Sequence, residues 1–171
     1  MLIFLFAFPV YGQPPEWFLK LRQIKVFESS RQDVERIFND PKIVYSSNTD
    51  GKEKGWGEII EYQTGNGKLG VFYSTGKCAE SDDKTGWDVA ENIVVSVEFH
   101  PNEPAKLSDF KLDLKTFKAE KAADTQHYSY RSDKLGIEFE VLGGNVTSFE
   151  YSPAPERQKL DCRIVLKNKS Q

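Results

Sequence analysis

The side chains able to do chemistry are few and scattered: 2 His, 2 Cys and 26 acidic residues in 171. His100 and His127 could act as general bases, because imidazole titrates near neutrality. Each is isolated, and a surface position at a strand end is the reading for His100. No Gly-x-Ser-x-Gly elbow and no His-Glu-x-x-His helix occurs in the chain, and neither cysteine stands in the setting of a reactive nucleophile. Two cysteines and two distant histidines lack the ligand spacing of zinc sites, so no metal is expected. Glu80-Ser81-Asp82-Asp83 lacks the spaced acids and closing Glu of a calcium loop and reads as a solvated turn. Glu138 and Glu140 share one strand face and read as facing water. Glycines such as Gly65 and Gly67 read as turns, since no P-loop Lys-Ser/Thr accompanies them. The expectation is a protein with no cofactor and no catalytic residue, that is, not an enzyme.

Cys78 and Cys162 are better understood together. In an oxidising compartment an even pair most simply forms one disulfide, tying the middle of the chain to its end. The N-terminus agrees with that address. Leu2-Ile3-Phe4-Leu5-Phe6-Ala7-Phe8 is an apolar run too short to span a bilayer, followed by Val10-Tyr11-Gly12, which has the small-residue pattern of a signal-peptidase site. Residues 1–12 are read as a signal peptide and residues 13–171 as a single secreted or periplasmic domain. A net charge of −3 gives no nucleic-acid footprint, and no second apolar stretch is long enough for stable membrane insertion.

Aromatic residues make up 13% of the chain. Trp56 and Trp87 sit in Gly-rich loops rather than in periodic segments, where rigid aromatics make good anchors for a partner. With Phe72 they mark a binding surface for a protein; the plainer reading is that both tryptophans fold back to cover the ends of a sheet.

The elements that must hold these residues follow from periodicity. Ser30 can cap a helix in which Val34, Ile37 and Phe38 form one stripe, with Asn39 and Pro41 ending it. Ile24 and Val26 alternate, which predicts a strand before that helix. Leu69, Val71 and Tyr73, then Val95, Val97 and Phe99, and later Ile137, Phe139 and Val141 alternate as strands of an antiparallel sheet with one face packed and one wet. Leu142-Gly143-Gly144-Asn145 is a hairpin turn. Leu107–Phe117 fits helical and strand spacing alike and is read as a helical turn; residues 120–126 read as a polar loop.

Two stretches also look alike. Lys68-Leu69-Gly70-Val71 matches Lys134-Leu135-Gly136-Ile137, and Ser96-Val97-Glu98-Phe99 matches Ser148-Phe149-Glu150-Tyr151, with the longer connection of the earlier copy at Cys78 to Glu91. The fold expected is α+β, with helices packed on a mostly antiparallel sheet, as tandem halves over about residues 24–104 and 105–166.

The capped helix with Arg31-x-Asp33-Val34 and Pro41 beyond it, followed by strands and a Val-rich strand, resembles the SmpA/OmlA type of envelope domain and its tandem relative, the β-lactamase-inhibitor-protein-like fold. The whole pattern resembles uncharacterised secreted bacterial proteins. Asn39 stands where such domains place a Gly, and the lipidated Cys of the SmpA/OmlA proteins has no counterpart. The resemblance implies a helical element leading into a small sheet, repeated, and it assigns no functional residue. A non-enzymatic binding or scaffold domain of the envelope is therefore expected; a small-ligand carrier or hydrolase with its site between the halves is the alternative, which a deep pocket with converging polar groups would favour.

Overall fold

Trp17, Phe18 and Leu21 fall on one side of a helical turn that also sets Glu16 beside Lys20. The structure, a computed structural model that describes residues 13–46, 58–78, 86–122 and 126–169, places helix α1 at Glu16–Leu21, with Glu16 and Lys20 paired at 2.9 Å. The strand expected at Ile24 and Val26 is absent. Ile24 and Phe27 instead continue the three-residue spacing of Leu21 into the core, and Phe27 adopts φ 67°, outside any strand conformation. Helix α2, Arg31–Ile37, is capped as its sequence predicts: the Asp33 amide donates to the Ser30 hydroxyl, and the Ser30 amide donates to the Asp33 carboxylate. Asn39 then turns left-handed at φ 59°, and Pro41 cannot extend the helix.

Nine strands follow: β1 (Lys42–Ser46), β2 (Glu58–Gln63), β3 (Gly67–Tyr73), β4 (Val94–Pro101), β5 (Ala105–Lys106), β6 (Lys118–Lys121), β7 (His127–Ser132), β8 (Ile137–Leu142) and β9 (Asn145–Tyr151). They form one sheet in the order β1-β2-β3-β4-β9-β8-β7-β6, with the short β5 also on β9. Every pairing is antiparallel. Two four-stranded meanders therefore meet through their last strands. Gly143 and Gly144, at φ 58° and 82°, make the expected tight turn between β8 and β9. Helix α3, Cys162–Lys169, closes the chain.

Three local expectations are adjusted. Residues 120 and 121, expected in a polar loop, instead end edge strand β6, whose exposed Lys118, Glu120 and Lys121 are of the charged kind that disfavours pairing at a sheet edge. Leu107–Phe117 is helical only as two 3-10 turns, Leu107–Phe110 and Leu114–Thr116, separated by Lys111 at φ 52°. Lys134-Leu135-Gly136 is a turn rather than the counterpart of a β3 segment: Val71 lies opposite Val97 and Phe139 opposite Phe149, a shift of two residues from the match read in sequence. In the second matched pair of stretches, Glu98 is registered directly against Glu150. The signal peptide, Trp56 and the acidic turn at residues 80–83 lie outside the described residues.

Alternation sends Leu69, Val71, Val97, Phe99, Phe139, Val141 and Phe149 to one face, where α1, α2 and the first 3-10 turn cover them. Trp17 stacks on Phe99 at 4.8 Å and lies 5.3 Å from Phe110, while Phe99 pairs across strands with Phe149. Phe139 stacks on Phe149 at 5.8 Å and Tyr130 on Phe139 at 5.0 Å, so aromatic contact runs unbroken from one meander to the other. Beneath α2, the buried hydroxyls of Tyr62 and Tyr73 bond each other at 3.0 Å; burial pushes both phenols above their ordinary titration range.

At one end of the sheet the β3–β4 connection is fastened to the C-terminus. Cys78 and Cys162 form a disulfide spanning 84 residues. Trp87 and Asp161 form a β-bridge, Cys162 donates its amide to Gly86, and Asp88 donates to Leu160. Asp161 also accepts the Arg163 side chain and amide, and this Arg163 pairing holds its carboxyl below the ordinary range.

Two stability measurements check this account. Trp17→Ala removes the ring that both meanders share and should cost about 3–5 kcal/mol in urea unfolding followed by circular dichroism; a cost below about 1 kcal/mol would show that the aromatic contact is incidental. Replacing Cys78 and Cys162 together by Ser should leave the spectrum native and lower stability by on the order of 4 kcal/mol, the chain-entropy value for a loop of that length. Free thiols titrating in the native protein would contradict the bond.

Candidate functional site

The period of two that buries Phe99 and Phe149 sends Glu98 and Glu150 to the opposite face. Cross-strand register then builds a row: Glu61, Gly70, Glu98, Glu150, Glu138 and Arg131 stand side by side on six neighbouring strands, each about 4.8 Å from the next. Three carboxylates are consecutive at its centre. Like charges directly opposite one another are destabilising, so the way each is satisfied matters.

Glu98 bonds His100 Nε2 at 2.8 Å, and Glu138 accepts from the Ser129 hydroxyl at 3.1 Å. Glu140, one position beyond Glu138 on this face, is 3.5 Å from His127 Nε2. Arg131 is spent on Asp133 at 2.7 Å. Glu150, half-buried in the middle, has no hydrogen bond or ion pair among the described residues. Burial first, then the charges of Glu138 and Glu98, raise its pKa above the ordinary carboxylate range, with Arg131 opposing weakly.

The row borders a groove of about 300 Å³ lined by Phe72, Trp87, Val95, Ser96, Glu98, Glu150 and Pro153. Phe72 and Ser96 pair across β3 and β4, and a register shift just beyond them turns Val95, 4% exposed, away from the Val97 and Phe99 face that alternation predicts for it and into the floor of the groove. Trp87 and Pro153 come from the two fastened segments at the sheet end, so the disulfide clamp supplies one wall. A smaller hollow of about 130 Å³ lies on the other side of Glu98 and Glu150, among His100, Glu138, Glu140 and Ser148. The groove is partly open to solvent along the sheet.

Of the three aromatics read as a binding surface, Phe72 and Trp87 come together in this groove. Trp87 has a second role, because its ring lies 5.1 Å from the buried Phe27, and so it partly covers the sheet end. The carboxylate row went unread because its members lie far apart in sequence; only Glu98 and Glu150 could have been found, from their matched positions in the two similar stretches. His100 has a carboxylate partner, yet among the described residues no hydroxyl or thiol bonds to it. No group of three or more metal-ligating side chains occurs among the described residues.

The raised pKa of Glu150 has a defined sign. A carboxyl whose folded-state pKa exceeds its unfolded value contributes stability below the unfolded value, about 4.3, and loses it as pH rises through the folded value. Glu150→Gln should therefore stabilise the protein at pH 7 by about 0.5–1 kcal/mol, about 1–4 °C in Tm, and the two proteins should converge near pH 4. Equal Tm at both pH values would show that Glu150 ionises without cost. Compared with protein-family models, curated proteins and solved structures, the chain matches none of them.

Proposed function

We propose that the chain is an exported, non-enzymatic binding domain of the bacterial envelope that docks a protein partner on the open face of its sheet. The groove carries this reading: it places Phe72, Trp87 and Val95 on a face that the helices leave uncovered, and apolar side chains grouped on an otherwise polar face are the usual mark of a contact surface. Its openness to solvent weighs against the small-ligand or hydrolase alternative, for which a site enclosing most of the ligand would be expected. Export is supported by the disulfide, a bond typical of oxidising compartments, and by the apolar run read as a signal peptide. Among the described residues no helix is long and apolar enough to cross a membrane.

The reading extends to the tandem origin of the two meanders. Glu98 and Glu150, matched in sequence, face each other across the junction, as the central residues of a two-fold pair would. Close backbone approaches also recur beside these matched strands: a Cβ on Gly67 would lie 2.2 Å from the His100 carbonyl oxygen, and one on Gly136 2.2 Å from that of Ser152. His100 follows Glu98 at the same distance in sequence as Ser152 follows Glu150.

Affinity capture with the tagged protein from its host's envelope, after mild cross-linking, tests the docking face. Phe72→Ala is the informative variant, because Phe72 stands on the open face whereas Trp87 also supports Phe27. It should abolish recovery of a partner that the unaltered protein captures and change Tm by less than about 2 °C. Unchanged recovery with Phe72→Ala would remove the groove from the interaction.

A further inference from the structure

We infer that the segment docked in the groove is cationic: a stretch of protein presenting a Lys or Arg side chain to Glu98 and Glu150, next to an apolar residue seated against Phe72 and Val95. The inference rests on the reading of this face as a docking surface and adds the chemistry of the partner.

The groove has two chemical ends. Phe72, Val95, Pro153 and the Trp87 ring make one apolar; Glu98 and Glu150 make the other acidic. A partner covering the groove excludes water from both. Excluding water from an ionised carboxylate with no partner is costly, whereas a cation delivered to the same place forms a charge-assisted hydrogen bond. Among the described residues no cation is paired with Glu150. On β4, His100 is held by Glu98; on β7, Arg131 is held by Asp133 and His127 stands beside Glu140. Glu138 and Glu140 on β8 only add negative charge. Lys68, opposite His100 on β3, forms no ion pair.

Glu150 is therefore the residue that decides among partners. A neutral apolar segment would bury it unpaired, and an acidic one would add a fourth negative charge to Glu98, Glu150 and Glu138. A guanidinium or ammonium group relieves the repulsion already present in the row. Discrimination of this kind comes as much from the penalty on wrong partners as from attraction to the right one. The apolar end is needed as well, because an exposed ion pair alone contributes little.

Three synthetic peptides test the inference. They share the same Leu and Trp positions and carry Lys, Gln or Glu at all others, and each is titrated into 15N-labelled protein at low salt. The Lys peptide should shift the amide signals of Phe72, Ser96, Glu98 and Glu150 and bind about tenfold more tightly than the Gln peptide, with the Glu peptide weakest. Its affinity should fall as salt is added. Glu98→Gln combined with Glu150→Gln should weaken the Lys peptide and bring the Lys and Gln peptides to the same level, the Gln peptide binding no more weakly than before because no carboxylate is then buried unpaired. Lys and Gln peptides binding the groove equally would overturn the cationic partner while leaving the groove as a docking surface. Shifts confined to another face, or no binding by any peptide, would also overturn it, and the docking reading itself stands or falls separately with the Phe72→Ala capture.

Discussion

The bridge that Trp17 makes between Phe99 and Phe149, registered against each other across β4 and β9, is the interaction on which the rest of the structure depends. The two meanders join through only three registered residue pairs, Val97 with Tyr151, Glu98 with Glu150 and Phe99 with Phe149. So short a ladder fixes register but gives little cohesion. Cohesion comes from side chains: Trp17 lies over Phe99 and within 6.5 Å of Phe149, so a residue from before the first strand holds the two strands that arrive last in their meanders. Aromatic pairs of this kind add about 0.5–1.5 kcal/mol each beyond the area they bury, and the chain from Trp17 to Tyr130 contains several.

That constraint also creates the acidic row. On a strand, what is buried at one position dictates what faces outward at the next. Turning Phe99 and Phe149 inward leaves Glu98 and Glu150 no choice but to meet on the other face, and the β8 register adds Glu138 beside them. The repulsion is a by-product of joining the meanders through matched strands, and it persists because the packed face outweighs it. A cost retained in the folded state is available to a partner that removes it, as strain at functional sites often is.

Local signals in the sequence were legible and nonlocal ones were not. The Ser30–Asp33 capping box, the left-handed Asn39 and the Gly143-Gly144 turn follow from a few adjacent residues, and the structure has all three. Helix α1 was obscured because Ile24 and Val26 mimic alternation; the three-residue interval from Leu21 to Ile24 to Phe27 would have settled it. Identity misled at Lys134-Leu135-Gly136, where resemblance to β3 is in letters rather than in register. The disulfide could be read because only two cysteines exist. The groove could be read only in part, since Phe72, Val95 and Pro153 meet through two strand pairings and a clamp that no short window contains.

The junction also sets an order of events during synthesis. β4 is complete long before β9, and in the interval its free edge carries Val97 and Phe99 on the side that will be buried. An unpaired, apolar strand edge is where nascent chains associate wrongly. Cys162 lies beyond β9, so oxidation with Cys78 cannot precede synthesis of the strand that covers that edge. The covalent bond thus acts as a latch on a nearly finished sheet, and the hazard of misassembly is concentrated in one strand and in the time taken to make the last third of the chain.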